Sequence, residues 1–285
     1  MERFHYRWFN PDTDMAALYD LCAPEMADML PNATITREIF AQALAEDPWQ
    51  AHMAEHSNRE LLVVGAEDGS VIDAFADGVL FPGARGVRVL LNSFVCRDPQ
   101  AMEKMFNVLA YRSRSMGCGL LYYYGKHTLG MGWQGHPEQL TRTFRCLQGV
   151  GFQPAGPKQR VITLPTTHLS PTKEARVEWT QADANWQVSI VVDDEAVARC
   201  EAWRMPGWLQ AAGYQQWAVI NTTQEINDRP GEQWGREVVL HMAQHLSTQG
   251  ITTLVNSVPV EREAFWLELG TPLMTTRALE RPLPM

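Results

Sequence analysis

The chain has 285 residues, of which 45% are hydrophobic and 20% charged, an ordinary globular composition that excludes a disordered chain. A net charge of -9 and a pI near 5.4 argue against a general nucleic-acid surface but leave room for a small basic pocket for a phosphorylated ligand. The five cysteines (Cys22, Cys96, Cys118, Cys146 and Cys200) are scattered and form no CxxC pair, so neither a disulfide framework nor a cysteine zinc site is expected. The N-terminus lacks the apolar core of a signal peptide, and no run approaches the roughly 18 apolar residues of a membrane span. A cytoplasmic protein without membrane or nucleic-acid partners is the expectation.

In chain order, a short strand is expected over 4–9, then a helix capped by Asp12 or Thr13 that carries Met15, Leu18, Leu21 and Cys22. A second helix runs from Thr36 through Ile39, Phe40 and Leu44 and stops before Pro48. Strands at 61–65 and 71–80 flank the turn Glu67-Asp68-Gly69 as an antiparallel pair. The strand at 87–95 places Val87, Val89, Leu91 and Ser93 on one face. Pro99 then opens a helix with the apolar stripe Met102, Met105, Phe106, Leu109 and Ala110, and Asp98 is its cap. Gly117 and Gly119 lead into the strand 120–124, which completes a parallel crossover. Residues 125–135 are glycine-rich and irregular, a helix covers 140–147, and a last strand covers 160–164.

Pro165 to Lys173 is rich in Pro, Thr and Ser, which marks 166–173 as a linker between domains at 1–165 and 174–285. The second half repeats the order of the first. A hairpin at 186–203 turns at Asp193-Asp194-Glu195, and a strand at 215–221 leads through a polar loop into a helix at 237–246. A strand at 251–256, a short helix at 262–269 and a closing strand at 275–279 follow. This repeated order suggests internal duplication, with the second domain truncated at its start.

The loop Arg229-Pro230-Gly231-Glu232-Gln233-Trp234-Gly235-Arg236 carries the strongest chemical signal. Gly231 and Gly235 permit close ligand approach, the helix start presents unpaired N–H groups, and Arg229 and Arg236 can add charge to a phosphate contact. A plain connecting loop is the competing reading. The first half has Arg97-Asp98-Pro99 in place of a glycine loop, which suits capping rather than anion binding. His241 and His245 share a helix face at i,i+4 spacing, but no Glu stands between them in the zinc-protease arrangement, and no metal is expected. No GxxxxGK[ST] or GxGxxG motif supports a nucleotide enzyme.

The element order, the loop ending at Gly235-Arg236, the segment Phe265-Trp266-Leu267-Glu268-Leu269-Gly270 and the first-half pair Gly151-Phe152 together resemble the acetyl-CoA-dependent N-acetyltransferase (GNAT) superfamily, as two copies in tandem. The resemblance implies an α/β fold with a mixed sheet in each of two acyl-CoA N-acyltransferase-like domains. It also implies transfer of an acetyl group from acetyl-CoA to a primary amine of a small molecule. The alternative is an inactive coenzyme A-binding or structural protein built from degenerate copies, and a homo-oligomer is compatible with either. The implied cofactor-binding residues are Val219, Ile220, Asn221, Thr222, Arg229, Gly231, Gln233, Trp234, Gly235 and Arg236. Glu225 is the first candidate for the base and Glu201 the second, and a solvated surface role is the alternative for each. Where the family usually has tyrosine this chain has Trp266, which cannot protonate a thiolate. Asn256 and His127 are further polar candidates, and Tyr122, Tyr123 and Tyr124 are expected to line a cleft or pack in a sheet.

Overall fold

The computed structural model describes residues 4–30, 32–46, 59–83, 86–123, 136–138, 140–182, 185–225 and 234–283. Strand β1 (His5–Trp8) is followed by helices α1 (Pro11–Met29) and α2 (Arg37–Ala45), then by β2 (Arg59–Gly65), β3 (Ile72–Gly83) and β4 (Gly86–Cys96). Helix α3 (Pro99–Ser115), β5 (Leu120–Tyr123), β6 (His136–Pro137), α4 (Thr141–Gly149), β7 (Gln153–Pro154) and β8 (Gln159–Pro165) complete the first half. The second half holds β9 (Arg176–Ala182), β10 (Asn185–Val192), β11 (Glu195–Arg204), β12 (Trp217–Glu225), α5 (Trp234–Thr248), β13 (Thr253–Pro259), α6 (Ala264–Leu269), β14 (Thr271–Arg277) and β15 (Leu279–Pro282).

Local chemistry explains most boundaries. Helix α1 starts with Pro11 and is capped by Asn10, whose side chain accepts from the Asp12 N–H, two or three positions before the expected cap. Asp98 caps α3 as expected, and Thr36, expected as the first residue of the second helix, is the cap of α2. Asp193 and Asp194 take positive φ of 54° and 62°, the left-handed pair that closes a two-residue hairpin with the right twist. Strand β9, which pairs with β10 from Arg176 to Ala182, was not expected from the sequence.

Two sheets result, in the orders β1-β2-β3-β4-β5-β15-β7 and β6-β14-β8-β13-β12-β11-β10-β9. In the first, β4 and β5 are parallel; in the second, β12 and β13 are parallel. The chain forms two compact units, one of Met1–Gln159 with Met274–Met285 and one of Arg160–Leu273. The sequence reading kept 160–165 with the first half and 274–285 with the second. The fold exchanges them: β15 pairs with both β5 and β7, and β8 lies between β13 and β14. Edge backbone groups need partners wherever they are buried, and nothing local in the sequence says which strand supplies them.

In the first unit Met102, Met105, Phe106 and Leu109 of α3 pack on Leu62, Val64, Ala74 and Ala76, with Leu279 and Leu283 in the same core. Phe106 sits 5.0 Å from Phe94 and 5.1 Å from Phe152, ring centre to ring centre. In the second unit Val238, Met242, Ala243 and Leu246 of α5 pack on Cys200, Ala202, Ala218, Ile220 and Leu254. Residues 166–173 are not a free linker. The Thr166 hydroxyl donates to the Ile251 carbonyl at 2.5 Å, and the Thr172 N–H donates to the buried Glu237 carboxylate at 2.9 Å. Gly270 opens β14 where a Cβ would collide with the Thr163 carbonyl, so the close approach of β8 needs glycine there. No helix among the described residues is long and apolar enough to cross a membrane.

Candidate active site

In the second unit the parallel strands β12 and β13 pair over only three residues each, Trp217↔Thr253 to Val219↔Val255. Both then run on, β12 to Glu225 and β13 to Pro259, without further mutual pairs. At the same place β12 carries a bulge: Ala202 of β11 pairs with Ile220 and Glu201 with Thr222, so Asn221 is the extra residue. A bulge leaves one residue outside the ladder and increases the local twist, which re-aims its backbone groups. A strand pair that parts beside a bulge is a slot lined by backbone N–H and C=O groups.

Each sequence-derived candidate has a definite place. Val219 and Ile220 are buried at 7% and 8% exposure, and Ile220 belongs to the core under α5. What they can offer a ligand is therefore backbone. Asn221 is the bulge, Thr222 is the ladder partner of Glu201, and Glu225 is the partner of Ala198 at the far end of β12. Arg229, Gly231 and Gln233 lie outside the described residues. Trp234 opens α5 with its ring beneath the Lys173 ammonium at 4.7 Å, and Gly235 follows it. The Arg236 guanidinium lies 4.4 Å from the Phe265 ring centre, a cation–π contact that ties the first turn of α5 to α6.

Glu201 is half-buried, and its Oε1 accepts a 2.7 Å hydrogen bond from the Trp203 indole N–H. That bond leaves the second carboxylate oxygen to other partners and limits the rotamers of the side chain. Glu237 has a different task. It is 5% exposed, and its carboxylate accepts from the Thr172 N–H, the Thr172 hydroxyl and the Lys173 N–H at 3.2 Å.

Burial depresses the pKa of His241, against the smaller raising effects of Glu237 and the Lys173 backbone; burial alone depresses that of His245, which stacks 4.1 Å from Trp179. Among the described residues no group of three His, Cys, Asp or Glu side chains could hold a metal ion. Burial pushes the Cys200 thiol up to about 12 and the Cys22 thiol well above its ordinary value, so neither is a thiolate nucleophile at neutral pH. Trp266 is 6% exposed and belongs to the core, and Asn256 is 4% exposed. His127 and Tyr124 lie outside the described residues, and Tyr122 and Tyr123 are placed only by register, opposite Glu280 and Leu279.

The first unit repeats the bulged strand and its parallel partner with different chemistry. Strand β4 pairs with β5 from Arg88↔Leu120 to Leu91↔Tyr123, and Asn92 is a bulge between Leu91↔Gly78 and Ser93↔Asp77. The inserted residue reverses the strand's parity: Phe94 and Cys96 join Leu91 on the core face, and Ser93 turns to the other, contrary to the alternation expected from the sequence. Asp77 is fully buried and holds Arg59 through two 3.0 Å contacts, while Arg59 also donates to the Leu44 carbonyl at 2.8 Å. At the start of α3 the Asp98 carboxylate occupies the Gln100 and Ala101 N–H groups at 2.8 and 3.3 Å, and Pro99 has no N–H. An anion finds no free donors there. Sequence reasoning foresaw the cap but missed Arg59–Asp77 and both bulges.

No family model matches the sequence, and no curated protein matches it. Solved structures do. A tandem GNAT protein from the clavulanic acid biosynthesis pathway superposes with a TM-score of 0.67 at 10% identity, over 99% of each chain. A GCN5-related N-acetyltransferase from Sphaerobacter thermophilus gives 0.65 at 12% identity, over 100% of this chain and 97% of the other. A GCN5-related glucosamine N-acetyltransferase region of a fungal multi-domain GH3 beta-N-acetylglucosaminidase gives 0.71 at 11% identity, with 98% of this chain spanning 38% of that one. The bulged strand, its parallel partner and the helix between them recur in both halves, and this chain has the tandem GNAT fold.

Proposed function

We propose that the protein is an acetyl-CoA-dependent N-acetyltransferase whose working copy is the second unit and whose acceptor is a primary amine of a small molecule. The observation that carries this reading is the slot where β12 leaves β13 after Val219, beside the Asn221 bulge and ahead of the α5 N-terminus. Acetyl-CoA supplies an activated acyl group and a thiolate leaving group. The residues present suit it: a slot edge of backbone groups for an extended chain, and a helix start at Trp234-Gly235 for phosphate oxygens.

Glu201 is the preferred base. It lies across the ladder from Thr222, the residue after the bulge, whereas Glu225 lies four residues past Asn221, about 13 Å along an extended strand. The Trp203 N–H holds the Glu201 carboxylate while it takes a proton from the amine, directly or through a water. Backbone N–H groups freed at the bulge would supply donors for the charge that develops on an acyl oxygen bound there. The first unit, with Asp98 on its helix start and Asp77 locked to Arg59, is a structural copy.

Two measurements test this. Calorimetric titration with coenzyme A should give one site per chain, and two equivalent sites would refute the division of labour. Thiol release from acetyl-CoA across a panel of small amines should exceed the amine-free background. Binding without turnover on any amine would favour the inactive coenzyme A-binding protein instead.

A further inference from the structure

Among the described residues, three of the six exposed large hydrophobic side chains, Tyr6, Trp8 and Tyr111, fall on one strip of the first unit. Tyr6 and Trp8 share a face of β1, the outermost strand of its sheet. Tyr111 lies across from them on α3, and a groove of about 660 Å³ between strand and helix is lined by Tyr6, Lys104, Asn107 and Tyr111 among others. The Arg112 guanidinium stacks 4.4 Å from the Trp8 ring centre and bonds Glu60 at 2.8 Å. Exposed tyrosine, tryptophan and a stacked arginine are the side chains that dominate protein interfaces.

The backbone of β1 points the same way. The Phe9 N–H donates to the Leu61 carbonyl at 2.9 Å, so the inward-bonding positions are the odd ones and the N–H and C=O of Tyr6 and Trp8 turn away from β2. The next outward group, the Phe4 carbonyl, takes the Lys104 ammonium. The open stretch of edge is thus short and centred on Arg7.

We propose that this strip is where a second copy of the chain docks, with β1 antiparallel to β1 about a two-fold axis at Arg7. Antiparallel pairing of a strand with itself is inherently two-fold, so one surface serves both partners. Tyr6 of each copy would exchange N–H and C=O bonds with Trp8 of the other. Local charge permits the contact: chains of net charge -9 repel, but on this strip Lys104 and Arg112 balance Glu103 and Glu60. Arg7 at the axis is neutralised by the buried Asp14 at 2.8 Å, so the two copies of it do not oppose each other as bare charges.

Sedimentation velocity of the full chain from about 1 to about 100 μM is the test. Wild type should show a concentration-dependent dimer. Tyr111→Glu, at a side chain 75% exposed on α3, should weaken dimerisation at least about tenfold without changing the melting temperature. Tyr6→Lys is the second variant, with the same expected loss, and Leu267→Glu on α6 is the control that leaves the dimer intact. A wild type monomeric across the range overturns the proposal. So does a dimer indifferent to both tyrosine variants, or one that only Leu267→Glu dissolves.

Discussion

Asp77 in the first sheet and Glu201 in the second hold the same ladder position: each is the partner of the residue that follows a bulged asparagine, Ser93 after Asn92 and Thr222 after Asn221. Asp77 is fully buried against Arg59, and Glu201 is half-buried and accepts the Trp203 indole N–H on one oxygen. The two acids should therefore answer differently to removal of charge. Glu201→Gln should lower acetyl transfer roughly 100-fold or more, with coenzyme A affinity and melting temperature nearly unchanged. Asp77→Asn should cost about 3 kcal/mol of stability, because it leaves Arg59 without its buried partner. Steady-state kinetics and urea unfolding on both variants check the contrast. Equal effects on activity would remove Glu201 from the role of base.

Gly235 sits in the first turn of α5, where the proposed function places the phosphates of coenzyme A and a β-branched side chain would stand in their way. Gly235→Val should weaken coenzyme A binding at least tenfold, about 1.4 kcal/mol. Calorimetry with coenzyme A measures this, and circular dichroism verifies the fold. An unchanged dissociation constant would show that the phosphates bind elsewhere.

Burial holds the His241 pKa below its ordinary value. The unfolded chain then takes up a proton before the folded one, so stability is full above about pH 6.5 and declines as pH falls from there through the depressed folded value. Unfolding by urea at pH 7.5 and 5.5 should show this loss, and His241→Gln should reduce the difference between the two. Glu237→Ala, which leaves the Thr172 and Lys173 N–H groups without their acceptor, should cost about 2 kcal/mol at either pH.

Leu279 is fully buried in the first unit although it lies only six residues from the end of the chain. Leu279→Ala should destabilise by about 2–5 kcal/mol, the range for a core leucine. Removing residues 279–285 should do more: it strips β15 from between β5 and β7 and exposes two edges, so the truncated chain should aggregate. Solubility and light scattering check this. A soluble, cooperative truncation product would mean that the first unit does not need β15.

Much of the fold was legible because it rests on near-neighbour chemistry. The Asp98 cap before Pro99, the start of α2 next to Thr36, the Asp193-Asp194 turn and the 3.6-residue stripe of α3 are each set by a handful of adjacent residues. The strand–helix–strand order in each half followed from these, and with it the family resemblance. The strand at 159–165 was recognisable, and the single closing strand expected at 275–279 straddles two, β14 and β15, but the partners of these strands were not legible. A strand's side-chain alternation tells which face is buried and nothing about which edge it joins.

The site divides along the same line. From the sequence alone came the loop at Gly235-Arg236, Glu201 and Glu225 as acids near it, and the expectation of a capped, ligand-free helix at Asp98. Only tertiary structure decided that Asn221 and Asn92 leave their ladders, that Glu201 rather than Glu225 stands opposite the bulge, and that Arg59 reaches Asp77 across 18 residues. A bulge is a mismatch between two strands, and an ion pair joins segments that the sequence keeps apart. Neither exists until the sheet has formed.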